Sequence, residues 1–223
     1  MNSQPTRFIT FEGPEGSGKT TQIALLATAL RAAGWSVVET REPGGTRLGD
    51  ALRALLLNAD ADVPPGAEAE AYLMTGARAE HLRLVVRPAL ASGSIVLCDR
   101  FADSTFAYQG GGRGLPVVKL RELQQLAVGD DWPDLTILLD VPVEVGLQRR
   151  ARSGVQNRID GDSVAFHERV AAWYRAEAAR CPMRWRVCDA TQLAGVVHTQ
   201  ILDMVSSTLG TLVRTSAVET GTA

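Results

Sequence analysis

The densest chemistry in the chain lies in Gly13-Pro14-Glu15-Gly16-Ser17-Gly18-Lys19-Thr20, followed by Thr21. The segment matches G-x-x-x-x-G-K-[ST] at every fixed position. Glycines there let backbone N–H groups wrap a phosphate, and a helix N-terminus behind the loop adds positive potential. Lys19 is placed to bridge the outer phosphates, and Thr20 offers a hydroxyl to Mg²⁺. The expectation is a site for a nucleoside triphosphate and its magnesium ion. A second constellation is Asp99-Arg100, directly after Ile95-Val96-Leu97-Cys98. Asp99 can hold Mg²⁺ through water, and the forked donors of Arg100 can hold a second phosphate. Asp140, after Thr136-Ile137-Leu138-Leu139, is a competing acid on the metal side. The third constellation is basic: Arg149, Arg150 and Arg152, with Arg158 beyond them. Arg149 and Arg152 are spaced i, i+3, on one helical face. A segment of this kind can close over phosphates, bring cations to a transferring group and expel water.

These residues need a scaffold that holds them at one edge. Short apolar runs at Phe8–Phe11, Ser36–Glu39, Ser94–Cys98, Leu135–Val141 and Trp185–Cys188 read as strands. Longer helical patterns separate them, beginning with Thr20–Ala33, which Gly34 ends. Apolar strands joined by crossover helices predict an α/β fold: a five-stranded parallel sheet flanked by helices, with ligands at one end. One domain is expected over residues 1–210, with insertions near 41–93 and 147–162 and a disordered tail at 211–223. Pro88, late in the helical pattern Ala67–Ala91, predicts a kink or stop near Arg87.

Composition narrows the class. The chain has 223 residues, 45% hydrophobic and 22% charged, with a net charge of −2. That excludes a disordered tail and a collagen, and it lacks the overall basicity of a nucleic-acid coat. Few aromatics interleave with the arginines, which argues against single-strand binding. Cys98, Cys181 and Cys188 have no paired spacing, so neither a disulfide framework nor a zinc site is expected. No apolar run approaches a membrane span and no signal peptide is visible, so a cytoplasmic location is expected. A regulatory GTPase would need a D-x-x-G switch, which is missing. Asn157-Arg158-Ile159-Asp160 imitates N-K-x-D but does not follow an apolar strand. A small kinase remains, with one triphosphate site, one acceptor site and one lid.

Further residues sharpen this. Arg41-Glu42-Pro43-Gly44-Gly45-Thr46 resembles the R-E-P-G-G-T segment of thymidylate (dTMP) kinases. Asp99-Arg100-Phe101, Ser104 and Ala107-Tyr108-Gln109-Gly110 resemble that family's D-R-[YFH]…S…A-Y-Q-G stretch, and Ala77-Arg78-Ala79-Glu80-His81 its A-x-R-A-x-H helix. The resemblance covers about residues 7–190. It implies a P-loop, nucleoside monophosphate kinase-like fold with an acceptor region and a lid, working as a homodimer. It implies transfer of the ATP γ-phosphoryl group to dTMP, yielding dTDP and ADP for dTTP synthesis. Catalytic roles then fall to Lys19, Arg100 and the lid arginines. Arg41 and Arg100 would grip the acceptor phosphate, Arg78 and Gln109 would read the base, and Tyr108 would lie beside the deoxyribose. Glu15 matches an acidic position near the acceptor sugar, and Ser104 belongs to the same acceptor set. His81 matches a family position and is assigned to packing. The chain departs from the family at Met74, where a phenylalanine commonly stacks on thymine; a thioether can still pack on a ring face. With no arginine between Gly13 and Gly18, it resembles members that supply positive charge from the lid. Two alternatives stay open on the residues alone: a P-loop kinase with another acceptor, and a non-catalytic triphosphate-binding protein. The helical patterns around Leu52–Leu57 and Tyr72–Val86 suit either a dimer surface or an internal core.

Overall fold

The computed structural model describes residues 7–58, 63–152, 154 and 157–209. The predicted tail, 211–223, lies outside them, as do parts of both predicted insertions. The sheet has five parallel strands in the order β2-β3-β1-β4-β5: β1 (Phe8–Glu12), β2 (Val37–Arg41), β3 (Ile95–Asp99), β4 (Leu135–Asp140) and β5 (Trp185–Asp189). All five predicted strands are present, each but β4 running one or two residues further at its C-terminal end. The register pairs Arg41 with Asp99 and Phe11 with Asp99, so the motif residues emerge side by side. From β1 the chain crosses to β2 on one side, and from β3 it crosses to β4 on the other. The crevice between the C-terminal ends of β1 and β3 is therefore the topological switch point, where open α/β sheets bind ligands.

Helices cover both faces. α1 (Lys19–Ala32) packs with α9 (Ala194–Leu209) over β1, β3 and β4 through Leu26, Leu30, Ile137, Ile201 and Val205, all buried. On the other face Leu82, Val86, Phe101 and Val128 pack against Phe8 and Val96. Central β1 is buried along its whole length, as expected of a parallel strand covered twice. Its one internal polar side chain, Thr10, bonds Thr136 of β4 at 3.0 Å.

The insertions begin with α2 (Arg47–Leu56), whose N-terminus is capped by the Thr46 hydroxyl. Next come α3 (Ala67–His81), a π turn at Leu82–Val86 and α4 (Arg87–Ala91). The helix does not stop near Arg87 as Pro88 suggested: it runs on through Pro88 to Ala91, and the irregularity is this π turn just before it. Proline has no N–H and crowds the carbonyl four residues back, and widening the preceding turn accommodates both. α5 (Ala102–Thr105) runs into a second π turn, Phe106–Gly112, which the sequence reading did not anticipate. α6 (Val117–Val128), α7 (Val143–Arg152), a 3₁₀ turn at Arg158–Gly161 and α8 (Val164–Arg180) complete the frame.

Candidate active site

A cavity of about 410 Å³ opens at the switch point. Its walls include Glu15 to Thr21 from the phosphate loop, Asp99 to Phe101 after β3, and Arg41 to Pro43 after β2. Arg53 of α2, Met74 and Arg78 of α3, Tyr108 and Gln109 of the second π turn, and Arg149 and Arg150 of α7 also line it. Nearly all the residues singled out from sequence therefore share one space. Arg158 does not, and neither does Arg152, which is exposed and off the wall. For Arg152 the reason is angular. At about 100° per residue the cavity direction falls between Arg149 and Arg150, which turns Arg152 about 110° away despite its i, i+3 spacing.

At the phosphate loop, Lys19 Nζ donates to the carbonyls of Gly13 and Pro14, at 3.1 and 3.0 Å, and to Ser17 Oγ. Burial, and then the nearby Arg100, pull its ammonium down to about 8. A Cβ on Gly16 would collide with the carbonyl of Gly146 in α7, and one on Gly146 would collide with the carbonyl of Glu15. The loop thus rests backbone against backbone on the first turn of α7, the helix that carries Arg149 and Arg150.

Thr20 Oγ1 donates to Asp99 Oδ2 at 2.9 Å. This pair of hard oxygen donors beside the phosphate loop fits Mg²⁺, which keeps several waters and takes few protein ligands. No cluster of three or more potential ligands occurs among the described residues, so phosphate oxygens and water would complete the shell. Asp140, the competing acid, is bound by Arg175 Nε at 3.0 and 2.9 Å and does not line the cavity.

Arg100 is the one described non-glycine residue with positive φ, at 70°. Such strain is held in place only where the surroundings fix it, commonly at a functional site. Its guanidinium bonds Glu15 Oε1 at 2.8 Å and the Gly13 carbonyl at 3.1 Å, and lies 4.9 Å from the Tyr108 ring centre. Tyr108 donates its hydroxyl to the same Glu15 oxygen at 2.9 Å. Burial opposes ionisation of Glu15, but Arg100 and Lys19 outweigh it and hold the carboxyl at about 2.

Two side chains at this site, Arg53 on the wall and Glu12 behind it, carry no signal that the motifs single out. Arg53 donates to the Pro43 carbonyl at 3.0 Å, and burial and neighbouring Arg41 push its guanidinium below its ordinary value. Arg41, Arg53 and Arg100 line the cavity together. The available signal was a basic residue in the last turn of an amphipathic helix following R-E-P-G-G-T. Glu12, buried behind the loop, accepts from the Phe101 N–H, the Ser104 hydroxyl and the Tyr174 hydroxyl. Ser104 is thereby turned toward Glu12, though its Oγ also lies 3.4 Å from Arg100.

On the side of the cavity formed by α3, Arg78 spends four of its N–H groups on protein. They go to Glu42, Thr105, Gln124 and the Phe101 carbonyl, leaving one on Nη2. Glu42 also binds His81, which in turn reaches Thr40; His81 is a fully buried brace, consistent with its packing role. Met74 is half-buried on the cavity wall, one helical turn before Arg78.

Comparison with known proteins gives a consistent picture. The family model described as thymidylate kinase matches residues 11–201. A thymidylate kinase of Thermomicrobium roseum is 59% identical over 203 residues, covering 91% of this chain and 95% of its own. One of Ectopseudomonas mendocina is 48% identical, covering 91% of this chain and 96% of its own. The crystal structure of thymidylate kinase from Ehrlichia chaffeensis superimposes with a TM-score of 0.73 at 34% identity, covering 91% of this chain and 99% of that one.

Proposed function

The chain belongs to the thymidylate kinase family, and from that membership we infer that it transfers the γ-phosphoryl group of ATP to dTMP, giving dTDP and ADP. The observation that carries this reading is that one cavity holds both halves of the reaction. Lys19, Thr20 and Asp99 stand on the donor side, and Arg41, Arg100, Met74, Arg78 and Gln109 on the acceptor side.

The acceptor oxygen belongs to a phosphomonoester whose second pKa is about 6, so it is already anionic near neutrality. No strong general base is needed. Catalysis is alignment plus neutralisation of charge in an in-line displacement. Backbone N–H groups from Gly13 to Thr21 cradle the ATP phosphates, and Lys19 follows the γ-phosphate. Thr20 and Asp99 would hold Mg²⁺, which when bound neutralises charge on the donor phosphates. Arg41, Arg53 and Arg100 grip the phosphate of dTMP. Arg78 directs its remaining Nη2–H to a thymine carbonyl, and Met74 packs on the ring. Tyr108, tied to Glu15, lies beside the deoxyribose. Arg149 and Arg150, in a lid spanning 147–162, neutralise the transferring group, and residues 41–93 form the acceptor region.

The protein acts in the cytoplasm as a homodimer. Exposed Leu55 on α2, with Tyr72 on α3 and Leu84 on the first π turn, supplies apolar surface for a second copy. Light scattering reads that state.

The test of the reaction is ADP formation with Mg·ATP across dTMP, dUMP, dCMP, UMP, CMP, AMP and GMP. Strong preference for dTMP is expected. Turnover with another monophosphate only would keep the kinase and overturn the base assignment. No turnover with any of them would overturn the reaction.

A further inference from the structure

Behind the acceptor wall lies a charged group that the reaction scheme does not use. Glu70, on α3, is 1% exposed and does not line the acceptor cavity. It sits one helical turn before Met74 and two before Arg78. Its Oε2 accepts from Gln109 Nε2 at 3.1 Å, and its Oε1 accepts from Arg158 Nη2 of the lid segment. Arg113 Nε stands 3.6 Å from the carboxylate, itself clasped by both oxygens of Asp162. Arg158 and Arg113 therefore face two carboxylates, Glu70 and Asp162, with Glu70 the buried one. Arg158 is fixed independently, donating Nε to the Leu56 carbonyl at 3.1 Å.

An ionised carboxylate only accepts hydrogen bonds, whereas a primary amide has one donating and one accepting end. Contact with Glu70 therefore decides which way the Gln109 amide faces. Nε2 must turn to the carboxylate, so Oε1, at the opposite end of the same planar group, turns away from it. Gln109 Oε1 takes no hydrogen bond from any described residue, and Gln109 lines the acceptor cavity. Pyrimidine bases differ at the atom such a carbonyl would meet. Thymine and uracil carry an N–H at N3, and cytosine carries a bare lone pair there. A fixed carbonyl accepts from the first and repels the second. An amide free to flip would serve either.

We propose that Glu70 is a positioning residue for base selectivity, orienting Gln109 so that its carbonyl admits pyrimidines bearing an N3–H and rejects cytosine. The proposal rests on dTMP as acceptor with its base at Gln109. Through Arg158 the same carboxylate is shared with the lid, so the base reader and the segment that closes over the phosphates have one common anchor.

The experiment compares kcat/KM for dTMP and dCMP in the wild type, Glu70→Gln and Gln109→Ala. In E70Q, residue 70 can turn either amide end to Gln109, which becomes free to flip. The dTMP/dCMP ratio is expected to fall at least tenfold, mostly through KM, with both variants moving in the same direction. A purely structural role would depress both substrates together and leave the ratio where it was. That result in a cooperatively melting E70Q overturns the proposal, as does a wild-type ratio in Q109A. Should E70Q lose its cooperative melt, the E70Q/Q109E exchange decides. It keeps one carboxylate between the two positions and an accepting oxygen toward the base, so it must retain the dTMP preference; losing it overturns the proposal. Failure of the underlying reading is separate, since wild-type protein would then not turn over dTMP at all.

Discussion

Glu12 Oε1 accepts the backbone N–H of Phe101 at 2.8 Å, joining the end of β1 to the residue after strained Arg100. Its other oxygen takes the Ser104 and Tyr174 hydroxyls at 2.7 Å each. Burial, reinforced by the charge of Asp103 and only partly offset by Arg100, raises this carboxyl from 4.5 to about 7. Between those values the folded protein keeps a proton that the unfolded chain has lost. The group's stabilisation is therefore full below about pH 4.5 and disappears as pH rises through 7. Glu12→Gln, whose neighbours Ser104 and Tyr174 can reverse their hydroxyls, removes this dependence. In urea melts from pH 5 to 8, E12Q is expected to gain on the wild type as pH rises. Parallel curves would show that Glu12 is not the titrating group.

Arg53 tests the anion grip. Charge-assisted hydrogen bonds contribute roughly 1.5–3 kcal/mol, so Arg53→Ala should raise KM for dTMP by about 10- to 100-fold. KM for ATP should move far less. Equal loss toward both substrates would place Arg53 outside the acceptor site.

Met74 tests the ring contact. Sulfur–aromatic packing is worth roughly 0.3–1.5 kcal/mol, so Met74→Ala should weaken dTMP binding by about 2- to 12-fold. Met74→Phe should match or tighten it. Calorimetric titration with dTMP reads both, and unchanged affinity in M74A would mean that the ring lies elsewhere.

The lid arginines should separate. Arg150→Ala is expected to lower kcat by about 10²-fold or more, the scale seen when one donor to a developing charge is lost. Arg152→Ala should change kcat by less than about threefold, since an exposed cation contributes little. Lys19→Ala should abolish turnover. Steady-state rates at saturating ATP and dTMP rank the three, and a kcat loss in R152A equal to that in R150A would contradict the facing described above.

Much of this site was legible because its residues terminate strands. An apolar run followed by G-x-x-x-x-G-K-T or by Asp-Arg fixes both the element and the end at which chemistry sits. That is why Lys19, Thr20, Asp99 and Arg100 converge where expected. Glu12 and Glu70 were invisible for the converse reason. An acid looks the same in sequence whether solvated or sealed beside an arginine, and their partners lie far along the chain, at Phe101, Gln109 and Arg158. The π turn at Phe106–Gly112, which carries Tyr108 and Gln109, breaks the 3.6-residue period and so has no periodic signature to read. Spacing alone grouped Arg152 with Arg149, and the structure leaves it exposed and off the cavity wall, because i, i+3 neighbours share a face only broadly.

The meeting of Gly16 with Gly146 has a consequence for engineering and for drift. The phosphate loop and the first turn of α7 are one casting, because neither backbone can accept a methyl group where they touch. The segment after β4 can therefore be exchanged between relatives only where the incoming chain also carries glycine at position 146. A chimera whose junction brings any side chain to that position would spoil its ATP loop while leaving every loop residue intact, and would be mistaken for a donor-site mutant.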